Sequence, residues 1–113
     1  MEWDEFDVVS LHAIAHDSAG AIIGTGRLLP DGHIGRLAVR ADWRGQGVGR
    51  AVLERLLEAA GQKNLSPLLH AQTQATRFYE KLGFVAAGPE FIEAGILHRL
   101  MRRPSSTLST SPT

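Results

Sequence analysis

The chain has 113 residues, 43% hydrophobic and 21% charged, with 12 basic residues against 12 acidic ones, which is enough for one small domain of ordinary globular composition. Zero net charge argues against a dedicated nucleic-acid binder, and the lack of cysteine excludes a disulfide framework or thiolate metal site. No apolar run reaches the ~20 residues that span a bilayer, and the acidic start "MEWDEFD" has no signal-peptide character, so a cytoplasmic protein without membrane partners is expected.

In chain order, "VVSLHAIAHD" (8–17) reads as a strand ending at the turn signal "DSAG". "AIIGTGRLLP" (21–30) is a second strand, stopped by Pro30-Asp31-Gly32, and the two should form an antiparallel hairpin. "HIGRLAVR" (33–40) is a third strand with apolar Ile34, Leu37 and Val39. The step from 34 to 37 breaks the even spacing of one strand face. One extra residue near Gly35-Arg36, a β-bulge, repairs it.

The glycine-rich turn Arg44-Gly45-Gln46-Gly47-Val48-Gly49 leads into a helix. Its apolar residues are Val48, Val52, Leu56 and Ala60, flanked by Leu53 and Leu57, at helical spacing. Arg50 and Glu54 make an i,i+4 pair on the wet side, and Gly61 is the expected stop. "SPLLHAQ" (66–72) is short and apolar enough for a buried strand. "TQATRFYEKLGF" (73–84) is a helix with Ala75, Phe78 and Leu82 on one face and Gly83 as its break. "VAAGPEFIEAGILHRLMRR" (85–103) holds two strands around Glu93-Ala94-Gly95. The order β-β-β-α-β-α-β-β predicts an α+β domain over 1–103, a mixed but mostly antiparallel sheet flanked by helices. Residues 104–113, "PSSTLSTSPT", read as a disordered tail.

Glycine costs ~1 kcal/mol against alanine in a helix. Alternating glycines at a helix start therefore point to something approaching the backbone. The first helical N–H groups lack partners and the helix dipole favours negative charge, so the turn is suited to an anion. A P-loop needs G-x-x-x-x-G-K-(S/T), and no Lys-Ser or Lys-Thr follows here. A dinucleotide fingerprint needs a glycine where Arg50 or Val52 stands, and an acidic residue within 59–79, where there is none.

The remaining pattern is R-x-x-G-x-G, with Arg44, Gly47 and Gly49. Set between a bulged strand and an amphipathic helix, it resembles the GNAT superfamily of acyl-CoA-dependent N-acyltransferases. "QTQATRFYEKLGF" is similar to the family's late helix, A-x-x-(F/L)-Y-E-K-x-G-F, through Ala75, Phe78, Tyr79, Glu80, Lys81, Gly83 and Phe84. "HAQTQATRFYEKLGF" with "EFIEAGILHRLM" resembles the ElaA-like subgroup. The resemblance covers residues 5–103 and implies acetyl-CoA as donor, with no metal. It implies that Leu37, Ala38 and Val39 pair with the pantetheine arm, and that Arg44, Gly45, Gln46, Gly47, Val48 and Gly49 hold the pyrophosphate, with Arg50 close by. Gln72, where the family often has Asn, would be a further contact.

By the same resemblance a substrate amine attacks the thioester carbonyl directly, through a tetrahedral intermediate. A backbone N–H at the bulge, near Leu37 or Ala38, would donate to the carbonyl oxygen, and Tyr79 would protonate the thiolate. No residue identifies itself as the base: His33 and His70 read as structural or surface groups, and the histidines lack metal spacing. The cluster Glu2, Asp4, Glu5 and Asp7 is either an amine attractor or a solvated end. A complete superfamily member has a strand and two helices before the strand at 8–16. Their lack here predicts an exposed N-terminal strand edge and a homodimer formed through it. A CoA-binding or regulatory module without turnover is the alternative to an enzyme.

Overall fold

The computed structural model describes the backbone of residues 2–4 and 7–104, with side chains from Ser10 onward. The chain divides into two compact units, Met1–Leu65 and Ser66–Thr113. The acidic N-terminal side chains and the tail from 105 onward lie outside the described residues.

The first unit is a four-stranded sheet in the order β1-β2-β3-β4 with one long helix. Its strands are β1 (Glu2–Asp4), β2 (Asp7–His16), β3 (Ile22–Leu28) and β4 (Ile34–Val39), and α1 spans Val48–Gln62. The β2–β3 turn is built by Asp17, whose Oδ1 accepts from Ala19 N and Ala21 N at 2.9 Å each. In the β3–β4 turn, Asp31 does the same for His33 N at 3.0 Å and its Oδ2 meets His33 Nδ1 at 2.8 Å.

The predicted bulge is present. Thr25 pairs with Ala38 and Arg27 with Gly35, so β4 carries one residue more than β3 across that interval. Arg36 absorbs it with a left-handed φ of 54°. α1 packs on β2, β3 and β4. Val52, Leu53, Leu56, Ala59 and Ala60 bury its apolar stripe over Leu11, Ala13, Leu28 and Ile34.

Several expectations need correcting here. The short β1 was not foreseen. It pairs with β2 through Glu2↔His12 and Trp3↔Leu11, so that edge of β2 is covered where an open edge was expected. The helix runs through Gly61, which costs a helix little at one exposed position near its end. The stop comes at Asn64, left-handed at φ 57°, with Leu65 N donating to Ala60 O at 2.9 Å.

The second unit holds β5 (Leu68–Gln72), α2 (Thr76–Glu80), β6 (Val85–Glu93) and β7 (Ile96–Arg102). Its strands form a sheet in the order β5-β7-β6, antiparallel throughout. The described strands therefore make two antiparallel sheets and no parallel pair, where one mixed sheet was predicted. The crossover through α1 delivers β5 to β7, a later strand that no local pattern could select.

The expected long second helix is a 3₁₀ turn, Thr73–Ala75, followed by the short α2. Gly83 ends it as predicted, with φ 93°. Leu82 and Phe84 are buried with Leu69, Ala71 and Met101, but Phe78 is 39% exposed instead of joining that core. β6 breaks register between Ala86 and Glu90, across Gly88-Pro89, because proline cannot donate to a ladder. Arg99 Nη1 donates to Gly88 O at 3.2 Å and holds the bulge.

Candidate functional site

The first unit carries an anion cradle. A 3₁₀ turn, Ala41–Trp43, follows β4 and is closed by Trp43 N donating to Arg40 O at 2.8 Å. The chain then turns through Gly45 and Gly47, left-handed at φ 79° and 85°, a conformation that a β-carbon would strain. Gly47 caps α1, and the first intrahelical bond is Ala51 N to Gly47 O at 3.0 Å. Consequently none of the backbone N–H groups from Gly45 to Arg50 donates to a protein acceptor among the described residues. That run of unsatisfied donors sits on the positive end of the helix dipole. Gly49 is not required by packing, since a β-carbon there would stand 3.5 Å from Val39 Cγ2, an ordinary contact.

The arginines around the turn differ in their commitments. Arg40 forks onto Asp42, Nε to Oδ1 at 2.7 Å and Nη2 to Oδ2 at 3.0 Å. That hydrogen bond lowers the Asp42 pKa and raises that of Arg40, so the acid beside the cradle is already neutralised. Arg50 Nε pairs with Glu54 Oε2 at 3.1 Å, the i,i+4 contact expected from the spacing. Arg44 has no carboxylate partner among the described residues, and its Nε donates to Val39 O at 3.2 Å. Gln46 Nε2 reaches Asp42 O at 3.4 Å.

β4 is the edge strand of its sheet. Arg40 N donates to Ile23 O at 2.8 Å, so strand alternation turns the backbone of Val39 to the outer edge. Leu37 and Val39 are half-buried and Ala38 is exposed. This edge can accept an extended arm by strand-like pairing. A groove of about 290 Å³ lies elsewhere, between β2 and α1, lined by Ala13, Ile14, Ala15, Ala51, Val52 and Arg55, and holds no acid or base suited to proton transfer.

The second unit carries Tyr79, His70, Glu93 and His98. Tyr79 is half-buried and packs edge-on to Phe78 and Phe84, with centroids 5.0 Å and 5.9 Å away. Burial raises its pKa from the ordinary 10.0. Gln72 ends β5, exposed, and its Oε1 accepts from Gln74 Nε2 at 3.0 Å.

One face of the β5-β7-β6 sheet gathers groups that single-strand patterns did not connect. His70 Nδ1 meets Glu93 Oε1 at 2.9 Å, and Phe91 stands edge-on to His70 and stacked on His98. His98 is 8% exposed, and its Nδ1 lies 2.8 Å from Ile96 O. A carbonyl oxygen only accepts, so Nδ1 carries the proton and, in the neutral ring, Nε2 carries the lone pair. Nε2 has no protein partner among the described residues. The signal for this cluster was the alternation of Phe91 and Glu93 on β6 with His98 on β7, visible only once the strand register is known.

No group of three His, Asp or Glu among the described residues could hold a metal ion, and no helix there is long and apolar enough to cross a membrane.

The α+β scaffold thus presents unpartnered helix-start amides after a bulged strand. The family model described as an acetyltransferase (GNAT) domain matches residues 5–104. The Bacillus subtilis protein named as the uncharacterized N-acetyltransferase YjcF is 36% identical over 107 residues, covering 90% of this chain and 76% of that protein. The crystal structure of an acyl-CoA N-acyltransferase from Pseudomonas aeruginosa is similar with a TM-score of 0.76 and 33% identity, over 84% of this chain and 68% of that one. Escherichia coli ElaA gives a TM-score of 0.74 and 25% identity over the same shares. The chain belongs to the GNAT acetyltransferase family, as a relative of ElaA, and the family's activity is acyl transfer from an acyl-CoA.

Proposed function

We propose that this chain moves an acetyl group from acetyl-CoA to the primary amine of a small molecule or peptide. The observation that carries the reading is the run of unpartnered N–H groups from Gly45 to Arg50 at the start of α1. It fits a pyrophosphate, which needs several donors converging on one anion. Arg44, without a carboxylate partner among the described residues, adds charge-assisted donors there. Leu37, Ala38 and Val39 offer the edge for the pantetheine arm, and Gln72 is a further contact.

The amine attacks the thioester carbonyl, whose oxygen gains charge as the bond forms. A backbone N–H beside the bulge at Arg36 supplies the donor. Tyr79, kept protonated by burial, gives its proton to the departing thiolate. His98, whose Nδ1 donates to Ile96 O, offers Nε2 as the group that takes the proton from the amine.

Thermal melting with acetyl-CoA, followed by a thiol-release assay over a panel of amines, tests this. The expected result is a raised melting temperature and amine-dependent release. Stabilisation without release from any amine would leave a CoA-binding module, and no stabilisation would remove the donor site itself.

A further inference from the structure

Tyr79 rides on a helix too short to hold itself. α2 spans only Thr76–Glu80, none of its residues is buried, and a helix below about 12 residues is marginal in water. The phenol is therefore fixed by how the ends of α2 are tied to the β5-β7-β6 sheet. At the leading end the tie is exposed, with Thr73 Oγ1 donating to Glu90 Oε2 at 3.0 Å. The trailing end is held from β7.

After Tyr79 the chain turns back on itself. Leu82 N and Phe84 N both donate to Tyr79 O, at 2.9 Å and 3.1 Å, and the turn passes through the left-handed Gly83. The carbonyl of Leu82 then accepts from Arg103 Nε at 2.9 Å. The arginine stem lies across the glycine: a β-carbon on Gly83 would stand 3.1 Å from Nε, 3.7 Å from Cγ and 3.8 Å from Cδ. Arg103 is itself anchored, since its N donates to Pro67 O at 3.0 Å. The preceding Arg102 is paired on both sides, with Leu68 of β5 and Val85 of β6. Leu82 and Phe84 are buried, and the Phe84 ring meets the Tyr79 ring edge-on.

We propose that Arg103 is a positioning residue for acyl transfer: its Nε–H fixes the Leu82 carbonyl and, through the 79–84 turn, holds the Tyr79 phenol in the orientation that proton transfer requires. The partner is a neutral carbonyl, so the hydrogen bond carries the effect and the positive charge does not. The role of Tyr79 rests on the acetyl-transfer reading above, whereas the clamp rests on the geometry of the second unit alone.

The test uses the length of the side chains. Glutamine carries an N–H donor as many bonds from Cα as arginine carries Nε, but no charge. Lysine keeps the charge and puts a methylene there, and methionine keeps neither donor nor charge. Arg103→Met and Arg103→Lys should lower kcat about tenfold or more at unchanged KM for acetyl-CoA, the scale of a misplaced reacting group. Arg103→Gln should stay close to wild type, as should Arg102→Gln, the exposed neighbour. In a Tyr79→Phe background Arg103→Met should lower kcat no further, because the two act as one unit. Full activity in Arg103→Lys, or an undiminished loss in the Tyr79→Phe background, overturns the proposal. Tyr79 is the sole tyrosine, so its phenolate absorbance reads the clamp without turnover. With native circular dichroism retained, Arg103→Met should bring the raised Tyr79 pKa back toward 10.0 and Arg103→Gln should not. Identical titrations in wild type and Arg103→Met overturn the clamp. A Tyr79→Phe enzyme as fast as wild type would instead remove the acid reading, with the titration still deciding the clamp.

Discussion

Gly24 and Val48 approach so closely that a β-carbon on the glycine would lie 2.7 Å from Val48 Cγ1. Val48 is the first residue of α1 and part of the anion cradle, so the glycines of β3 set how deeply the helix seats and where its N–H groups point. Gly26 is hemmed in on more sides: an added β-carbon would stand 2.8 Å from Leu37 Cδ2, 2.8 Å from Leu56 Cδ1 and 2.9 Å from Val52 Cγ1.

Gly26→Ala should therefore destabilise the fold by about 1–3 kcal/mol through overpacking. Denaturant melts would read it as a lower midpoint at unchanged slope. A neutral substitution would mean that α1 shifts outward without loss.

Gly49→Ala separates stability from binding. Among the described residues nothing opposes the new methyl, and alanine favours a helix by ~1 kcal/mol over glycine. The apo protein should melt higher. The methyl intrudes where the phosphate would meet the backbone, so acetyl-CoA should bind at least about tenfold more weakly, some 1.4 kcal/mol. Unchanged donor affinity would count against the cradle.

Tyr79→Phe should lower kcat by roughly 10²–10⁴-fold, the usual range for a general acid, with little change in donor affinity. Burial also links Tyr79 to stability. Its folded pKa is raised above 10.0, so above that pH the unfolded chain loses the phenolic proton before the folded one. The native state then holds more protons than the unfolded one, and stability falls as pH rises through this window. The phenylalanine variant should show a shallower alkaline decline, measured by melting temperature between neutral pH and the alkaline limit.

His98→Gln keeps a hydrogen-bonding side chain and removes the base. The rate of acetyl transfer should fall about tenfold or more while affinity for acetyl-CoA stays unchanged. A variant as fast as wild type would remove His98 from the proton path.

The β6–β7 turn is two residues, Ala94 at φ 53° and Gly95 at φ 77°, the left-handed pair of a type I′ hairpin. Alanine is poorly suited to the first position. Ala94→Asn should stabilise the second unit by about 0.5–1 kcal/mol. Calorimetry would detect it, and a lower melting temperature would refute it.

Much was legible along the chain because it is local. The Asp17 and Asp31 turns, the bulge at Arg36 and the helix stripe from Val48 to Ala60 each depend on neighbours a few residues apart. So does the cradle, since a helix start leaves its first N–H groups unpaired wherever it occurs, and glycines at 45, 47 and 49 announce that the backbone there must stay open. The bond between His70 and Glu93 spans 23 residues and depends on which strands are neighbours, as does the row of His12, Arg27 and Gly35. Strand pairing is set by burial and closure over the whole sheet, so an isolated strand pattern cannot reveal it. The sequence by itself determined the glycine turn and its open helix-start amides, because both are properties of a short segment. The tertiary structure alone decided that Phe91 and Glu93 of β6 meet His70 and His98, because strand pairing over the whole sheet, and no local pattern, chooses those neighbours.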